Sequence, residues 1–367
     1  MRKLFLALGA SCALVAAAFA GPLNTHGIPA DAIGVFHADV EALNKTESFK
    51  SAMSGTGFLR RELVNKGIPA QIKKLFGFDQ WAEVRGFTVG VLPPFPKTAG
   101  EKTPNAATPA RRSHPETPAA AIWILRGNFD QGKIRANIAQ KEQNEKSAKP
   151  LTVGSRKFIE VEEGAFLLLV DKETGVLVTE APFGGSRESG QTTKILKAVA
   201  DAFDGKTKSY APPPSLAPLG AQTGTPAILA YFDFSSLKIP EPLFPSSIHL
   251  ALGNAAGTLK LRTLGGFESE EGAAQALIQL RDGLGHLNAQ IARELRRFKE
   301  QKQELGGKSE ILLQIAKEVS KVLSVPVING SGKNITFNMD YSDASLVNLA
   351  KLVATASRRA TGDTDVE

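Results

Sequence analysis

The chain has 367 residues, 42% of them hydrophobic and 22% charged, with a formal net charge of +7 and a single cysteine. Those fractions exclude a wholly disordered chain, and the mild basic excess lacks the aromatic-interleaved basic strand of a nucleic-acid binder. The length exceeds what one hydrophobic core ordinarily serves, so two domains are expected.

Residues 1–20 read as a secretory signal. Arg2 and Lys3 supply the charged start, Leu4 to Phe19 the apolar middle, and Ala18-Phe19-Ala20 a small-x-small cleavage site. Gly21-Pro22 ends the apolar run short of the ~20 residues that a membrane span needs. Twin arginines are absent, so the expected path is the general secretion route, to the periplasm or the exterior. Cleavage removes Arg2 and Lys3, taking the charge from +7 to +5, and also removes Cys12. A mature chain without cysteine has no disulfide, no thiolate metal ligand and no cysteine nucleophile. No later apolar stretch is long enough to cross a membrane, so the mature protein is expected to be soluble.

The first module is expected over 21–205. Ile33–Val40 is apolar on both faces, as a central strand covered on both sides would be, and Asp39 stands where strand gives way to helix. Short helices are expected over 48–53, 58–64 and 68–76, then a strand over 84–92. The proline-rich stretch 93–119 reads as a flexible loop. A strand over 121–126 leads into the turn Gly127-Asn128-Phe129-Asp130 and a helix to about residue 145. Three strands, 156–161, 165–170 and 176–180, precede a closing helix over 191–203.

Residues 206–226, with Pro212-Pro213-Pro214, Pro218 and Pro226, read as a stiff linker holding two modules apart. The second module, 227–357, opens on AILAYFDFSSL, which repeats the order of IGVFHADVEAL at 33–43. Strands over 248–252 and 258–264 follow. Gly265-Gly266-Phe267-Glu268 then repeats the earlier Gly-x-Phe-acid turn, again ahead of a helix. Leu277, Leu280, Leu284, Leu287, Ile291, Leu295 and Phe298 recur at three- and four-residue steps, and Leu312, Ile315, Val319 and Val322 continue a matching stripe. This is a helical hairpin over 269–323, with Gly283 and Gly285 marking a place to kink. A strand hairpin over 325–341 and a helix over 345–356 close the module, leaving 358–367 as a disordered tail. The expected fold is α+β: two tandem related modules, each a mostly antiparallel sheet with helices packed on one face.

The search for chemistry returns little. No zinc-protease helix, serine elbow or dinucleotide glycine fingerprint is present, and no cofactor or metal is implied. Ser235-Ser236-Leu237-Lys238 has the start of a penicillin-binding serine motif without its companion, and reads as structural. His37 and Asp39 share a strand face and make the nearest acid–base pair. The matched pair in the second module, Tyr231 and Asp233, favours an aromatic slot beside a capping aspartate over proton transfer. The densest basic cluster is Arg293, Arg296, Arg297, Lys299 and Lys302 on the long helix, and Lys260 and Arg262 alternate on a polar sheet face. These residues are the candidate binding surface, for an anionic envelope component or an acidic protein. The sequence therefore points to an exported, non-enzymatic binding or scaffolding protein. The alternatives are a carrier of an apolar ligand held between sheet and helices, and a hydrolase centred on His37 and Asp39.

Overall fold

In the computed structural model the described residues are 23–53, 84–93, 119–145, 149–180, 191–235, 244–300, 307–324 and 326–361. The helices expected over 58–64 and 68–76, nearly all of the 93–119 loop and the signal segment lie outside them.

The fold is mixed helix and strand around a single 12-stranded sheet in which every paired neighbour is antiparallel. In chain order the strands are β1 (Gly34–Asp39), β2 (Val84–Leu92), β3 (Ala120–Gly127), β4 (Lys149–Val153), β5 (Arg156–Glu162), β6 (Ala165–Leu169) and β7 (Thr174–Glu180). Then come β8 (Thr225–Asp233), β9 (Ser247–Ala255), β10 (Thr258–Gly266), β11 (Val327–Ser331) and β12 (Asn334–Ser342). The helices are α1 (Val40–Leu43), α2 (Glu47–Met53), α3 (Gln131–Glu145), α4 (Gln191–Phe203), α5 (Leu216–Ala221), α6 (Glu270–Glu300), α7 (Gly307–Ser324) and α8 (Asp343–Thr361). Across the sheet the order is β11-β12-β10-β9-β8-β1-β2-β3-β7-β6-β5-β4.

The expectation of two separate sheets is corrected at the centre of this order. The two echoing segments are not the openings of modules held apart, because β1 and β8 pair with each other. Both are apolar on the face they share with their neighbours, and pairing satisfies backbone groups that a free edge would leave bare. Gly34 permits the approach, since a Cβ there would lie 2.3 Å from the Phe232 ring. Residues 206–226 are likewise no spacer. Tyr210 is buried and donates its backbone N–H to the Ile28 carbonyl at 2.8 Å, and α5 buries Leu216 and Leu219 against β8 and β9.

From the central pair outward, the strands run β1-β2-β3-β7-β6-β5-β4 on one side and β8-β9-β10-β12-β11 on the other. Both Gly-x-Phe-acid turns follow the third strand of their side. Phe129 donates its N–H to the Lys172 carbonyl at 2.8 Å, and Phe267 donates to that of Lys333 at 2.9 Å. Each phenyl ring is buried, and each turn starts a helix, capped by Asp130 on α3 and by Ser269 on α6.

Helices on one face only is the second expectation corrected, for the first half. One core cluster joins Phe36, Ala38, Phe87, Val89, Leu125, Leu167 and Leu177 to α1, α2 and Ile134 and Ile138 of α3. The other joins Val35, Ile122, Ile124, Phe166, Leu168, Val176 and Val178 to Ile195, Leu196, Val199 and Phe203 of α4. Alternate residues of β1, β2 and β3 point to opposite clusters, so these strands are covered on both faces. Strand β4, beyond the three strands expected, extends this half to its outer edge. In the second half α6, α7 and α8 lie on the α3 side; on the other side α5 packs on β8 and β9 and reaches β10, while β11 and β12 have no helix packed there among the described residues.

Helix α6 runs unbroken from 270 to 300 through Gly283 and Gly285, about 46 Å at 1.5 Å per residue. Helix α7 packs against it, and α8 continues to Thr361, past the expected end at 356.

Candidate functional site

The sequence-derived basic residues fall into two groups on opposite sides of the sheet. Arg293, Arg296, Arg297 and Lys299 are exposed on the last third of α6, with Arg297 3.9 Å from Glu294; Lys302 lies outside the described residues. Lys260 and Arg262 project from the other face of β10. Their register partners are Gly253 and Asp340 for Lys260, and Ala251 and Asn338 for Arg262. Arg262 is already engaged: only 13% of its side chain is exposed, it ion-pairs with Asp340, and its guanidinium donates to the Leu261 and Met339 carbonyls at 2.9 and 3.3 Å. That contact holds the Asp340 carboxyl below the usual carboxylate range. Arg262 therefore fastens β10 to β12, and no single basic site brings the six described residues together.

His37 and Asp39 are placed as a histidine in a slot and a capping aspartate. His37 is 1% exposed, with its Nδ1 2.7 Å from Thr88 Oγ1 on the adjoining strand. Asp39 accepts from the Ala42 N–H at 2.5 Å and starts α1. Burial raises the Asp39 pKa, opposed by that hydrogen bond. Asp233 plays a similar part at the end of β8, accepting from the backbone N–H and the hydroxyl of Ser235.

The sequence does not single out a second polar cluster. Ser215, just before α5, makes no side-chain cap; its hydroxyl lies 3.1 Å from Nδ1 of His249. The Tyr231 ring meets the His249 ring edge-on at 4.7 Å, and burial lowers the His249 pKa. Only the pairing of β8 with β9 brings Tyr231 opposite His249, so spacing in the sequence carries no trace of it.

Among the described residues, an incompletely covered apolar surface is the sheet face beneath α6, α7 and α8. Phe232, Leu250, Leu252, Leu259, Leu261, Phe337 and Met339 share that face by register, and all are half-buried. Helix α6 reaches the strands chiefly at β11 and β12, where Ala273, Ala276 and Leu277 meet Ile328 and Ile335. A Cβ on Gly330 would lie 2.8 Å from Leu277, so glycine there lets the helix sit close. Past Leu284 no described residue of α6 is buried. Ile278, Leu280 and Leu287 of α6, Leu312 of α7 and Val353 of α8 are 59, 46, 39, 36 and 37% exposed. These helices hold chiefly to one another and to α2. A buried clamp sets the arc: both carboxylate oxygens of Asp343 accept N–H groups at the start of α2, from Glu47 at 2.8 Å and Ser48 at 2.9 Å.

Among the described residues, no helix is long and apolar enough to cross a membrane, and no three His, Cys, Asp or Glu side chains gather as a metal site would require. No family model matches the chain, and no curated protein matches it. Among solved structures it is similar to three crystal forms of TP0453. Form I gives a TM-score of 0.41 at 11% identity, covering 92% of this chain and 98% of that one. Form III gives 0.42 at 10%, covering 91 and 98%, and form IV 0.40 at 11%, covering 90 and 96%. Likeness at that level carries no argument about function.

Proposed function

We propose that the protein is an exported, soluble, non-enzymatic binding protein built from two related modules, 21–205 and 227–357, and that its ligand is apolar. The ligand lies between the α6–α8 arc and the half-buried sheet face formed by Leu250, Leu252, Leu259, Leu261, Phe337 and Met339. The observation that carries this reading is where apolar surface stays uncovered. Of the seven exposed large hydrophobic side chains among the described residues, Ile278, Leu280, Leu287, Leu312 and Val353 belong to these three helices. Clustered exposure of this kind marks a surface that meets something else.

The two-module part rests on correspondences beyond the strand order. Aligning Asp39 with Asp233 sets Phe36 against Ala230, and those two residues are partners across the β1–β8 pair. A two-fold relation between the halves places equivalent residues opposite each other at its axis in this way. The matching Phe129 and Phe267 hydrogen bonds support the same reading.

Native mass spectrometry of the purified full chain tests the ligand. The expected result is a co-purified lipid or other apolar molecule, or uptake of added oleate, both lost in a Leu252→Arg/Leu261→Arg variant that keeps its strand content by circular dichroism. Wild-type protein that is empty and takes up no oleate overturns the reading. Arg293, Arg296, Arg297 and Lys299, exposed at the far end of α6, support a second reading, scaffolding on an anionic envelope component or acidic protein. Reversing the charge of Arg293, Arg296 and Arg297 should then weaken salt-sensitive retention on envelope extracts; unchanged retention removes it.

A further inference from the structure

A cleft of about 550 Å³ lies in the first half, away from the apolar face, lined by Leu23, Asn24, Arg126, Asp171, Lys172, Glu173 and Thr174. Arg126 is half-buried near the end of β3, on the α4 side of the sheet, opposite Thr174 of β7. Backbone hydrogen bonds hold the 170–174 connection. Val170 and Asp171 donate to the Thr174 carbonyl at 3.1 and 3.3 Å, Gly127 to Glu173 at 3.0 Å, and Phe129 to Lys172 at 2.8 Å. Asp171 itself accepts from the Glu173 N–H at 2.7 Å. The site is thus a fixed frame carrying consecutive charges, with Leu23 packed on the core cluster as its apolar wall.

Two cations and two anions share this cleft, yet none of Arg126, Asp171, Lys172 and Glu173 forms an ion pair within 4 Å among the described residues. Charges of both signs held in one cleft without pairing fit a ligand that itself carries both. A polyanion such as phosphate meets the carboxylates of Asp171 and Glu173, and a simple cation meets Arg126 and Lys172. A guanidinium is the side chain best shaped for a carboxylate, because its planar fork can donate two parallel hydrogen bonds.

We propose that this cleft binds a small zwitterion, an amino acid or short peptide, with Arg126 taking its carboxylate and Glu173 its ammonium. Leu23 then meets an apolar side chain. Titration calorimetry on the full chain uses L-alanine, Ala-Ala, N-acetyl-Ala-Ala, Ala-Ala-amide and inorganic phosphate. The expected dissociation constant for at least one of the two free zwitterions is on the order of 1 mM or tighter. Preference for L-alanine or for Ala-Ala distinguishes the two sources. Blocking either end should weaken binding about tenfold or more, the cost of one lost charged contact. Arg126→Gln should abolish the difference between Ala-Ala and its amide, and Glu173→Gln that between Ala-Ala and its acetylated form. Because Glu173 is exposed, the second variant tests the site without burdening the fold. No heat with either zwitterion up to about 10 mM, equal binding of the blocked peptides, or tighter binding of phosphate overturns the proposal.

Discussion

The two sides of the central strand pair, seven strands from β1 to β4 and five from β8 to β11, close their cores differently. In the first half β1, β2 and β3 lie between helices, and Phe158, Ile122, Leu125, Ile134, Leu167 and Leu196 are at most 1% exposed. In the second half no residue of β10 is fully buried, and the third core cluster consists of Phe267, Ile328 and Ile335 with two alanines. Stability is concentrated where the sheet is covered twice, and apolar surface remains available where it is covered once and loosely.

The sharpest way to test that contrast is to remove side chains on either side of it. Phe158→Ala should cost about 3–5 kcal/mol in denaturant unfolding, whereas Leu261→Ala, from a half-exposed site, should cost less than about 1.5 kcal/mol. Equal losses would mean that the second half is as tightly closed as the first. A smaller effect is expected at the clamp. Asp343→Ala leaves the Glu47 and Ser48 N–H groups without their acceptor and should cost about 1–3 kcal/mol. Hydrogen exchange should then quicken in α2 and α8 and not in β1–β3; uniform quickening would tie the arc to the main core instead.

The smallest effect is a pH dependence at the join of α5 to the sheet. Burial depresses the His249 pKa below its ordinary 6.5, so between the folded value and 6.5 the unfolded chain binds more protons. The stability this group contributes is complete above 6.5 and declines as pH falls below it. Ser215 on α5 and Tyr231 on β8 face the ring, and protonation of Nδ1 would end its capacity to accept from the Ser215 hydroxyl. Melting temperatures between pH 5 and 8 should fall more steeply on the acid side for the wild type than for His249→Gln. Parallel curves would assign the slope to other groups.

Much of the fold was legible because its signals are local. Alternation in Asn334–Tyr341 identified β12 with the correct inward face, and the three- and four-residue steps after Glu268 identified α6. The paired Gly-x-Phe-acid turns were legible for the same reason. What escaped notice depends on partners distant in sequence. Nothing in GVFHAD says that its second neighbour, besides β2, is AILAYFD. Prolines 212–214 look like a spacer until the burial of Tyr210 and Leu216 on either side of them is known. The candidate site divides in the same way. The exposure of Arg293, Arg296 and Arg297 followed from helical spacing, but the engagement of Arg262 by Asp340 requires the register between β10 and β12. The Arg126 cleft joins residues from the N-terminal arm, β3 and the β6–β7 connection, which no motif links.

The β1–β8 pair also sets an order in time. During synthesis β1 and β2 emerge early, yet one edge of β1 has no partner until residues 225–233 have appeared. Contacts between such distant segments carry a large loop-closure cost and form slowly. Until then the edge from Gly34 to Ala38, which carries no Lys, Arg, Asp or Glu, stays open to pairing. Arrival of the second half therefore closes the one edge that β1 leaves open beside β2.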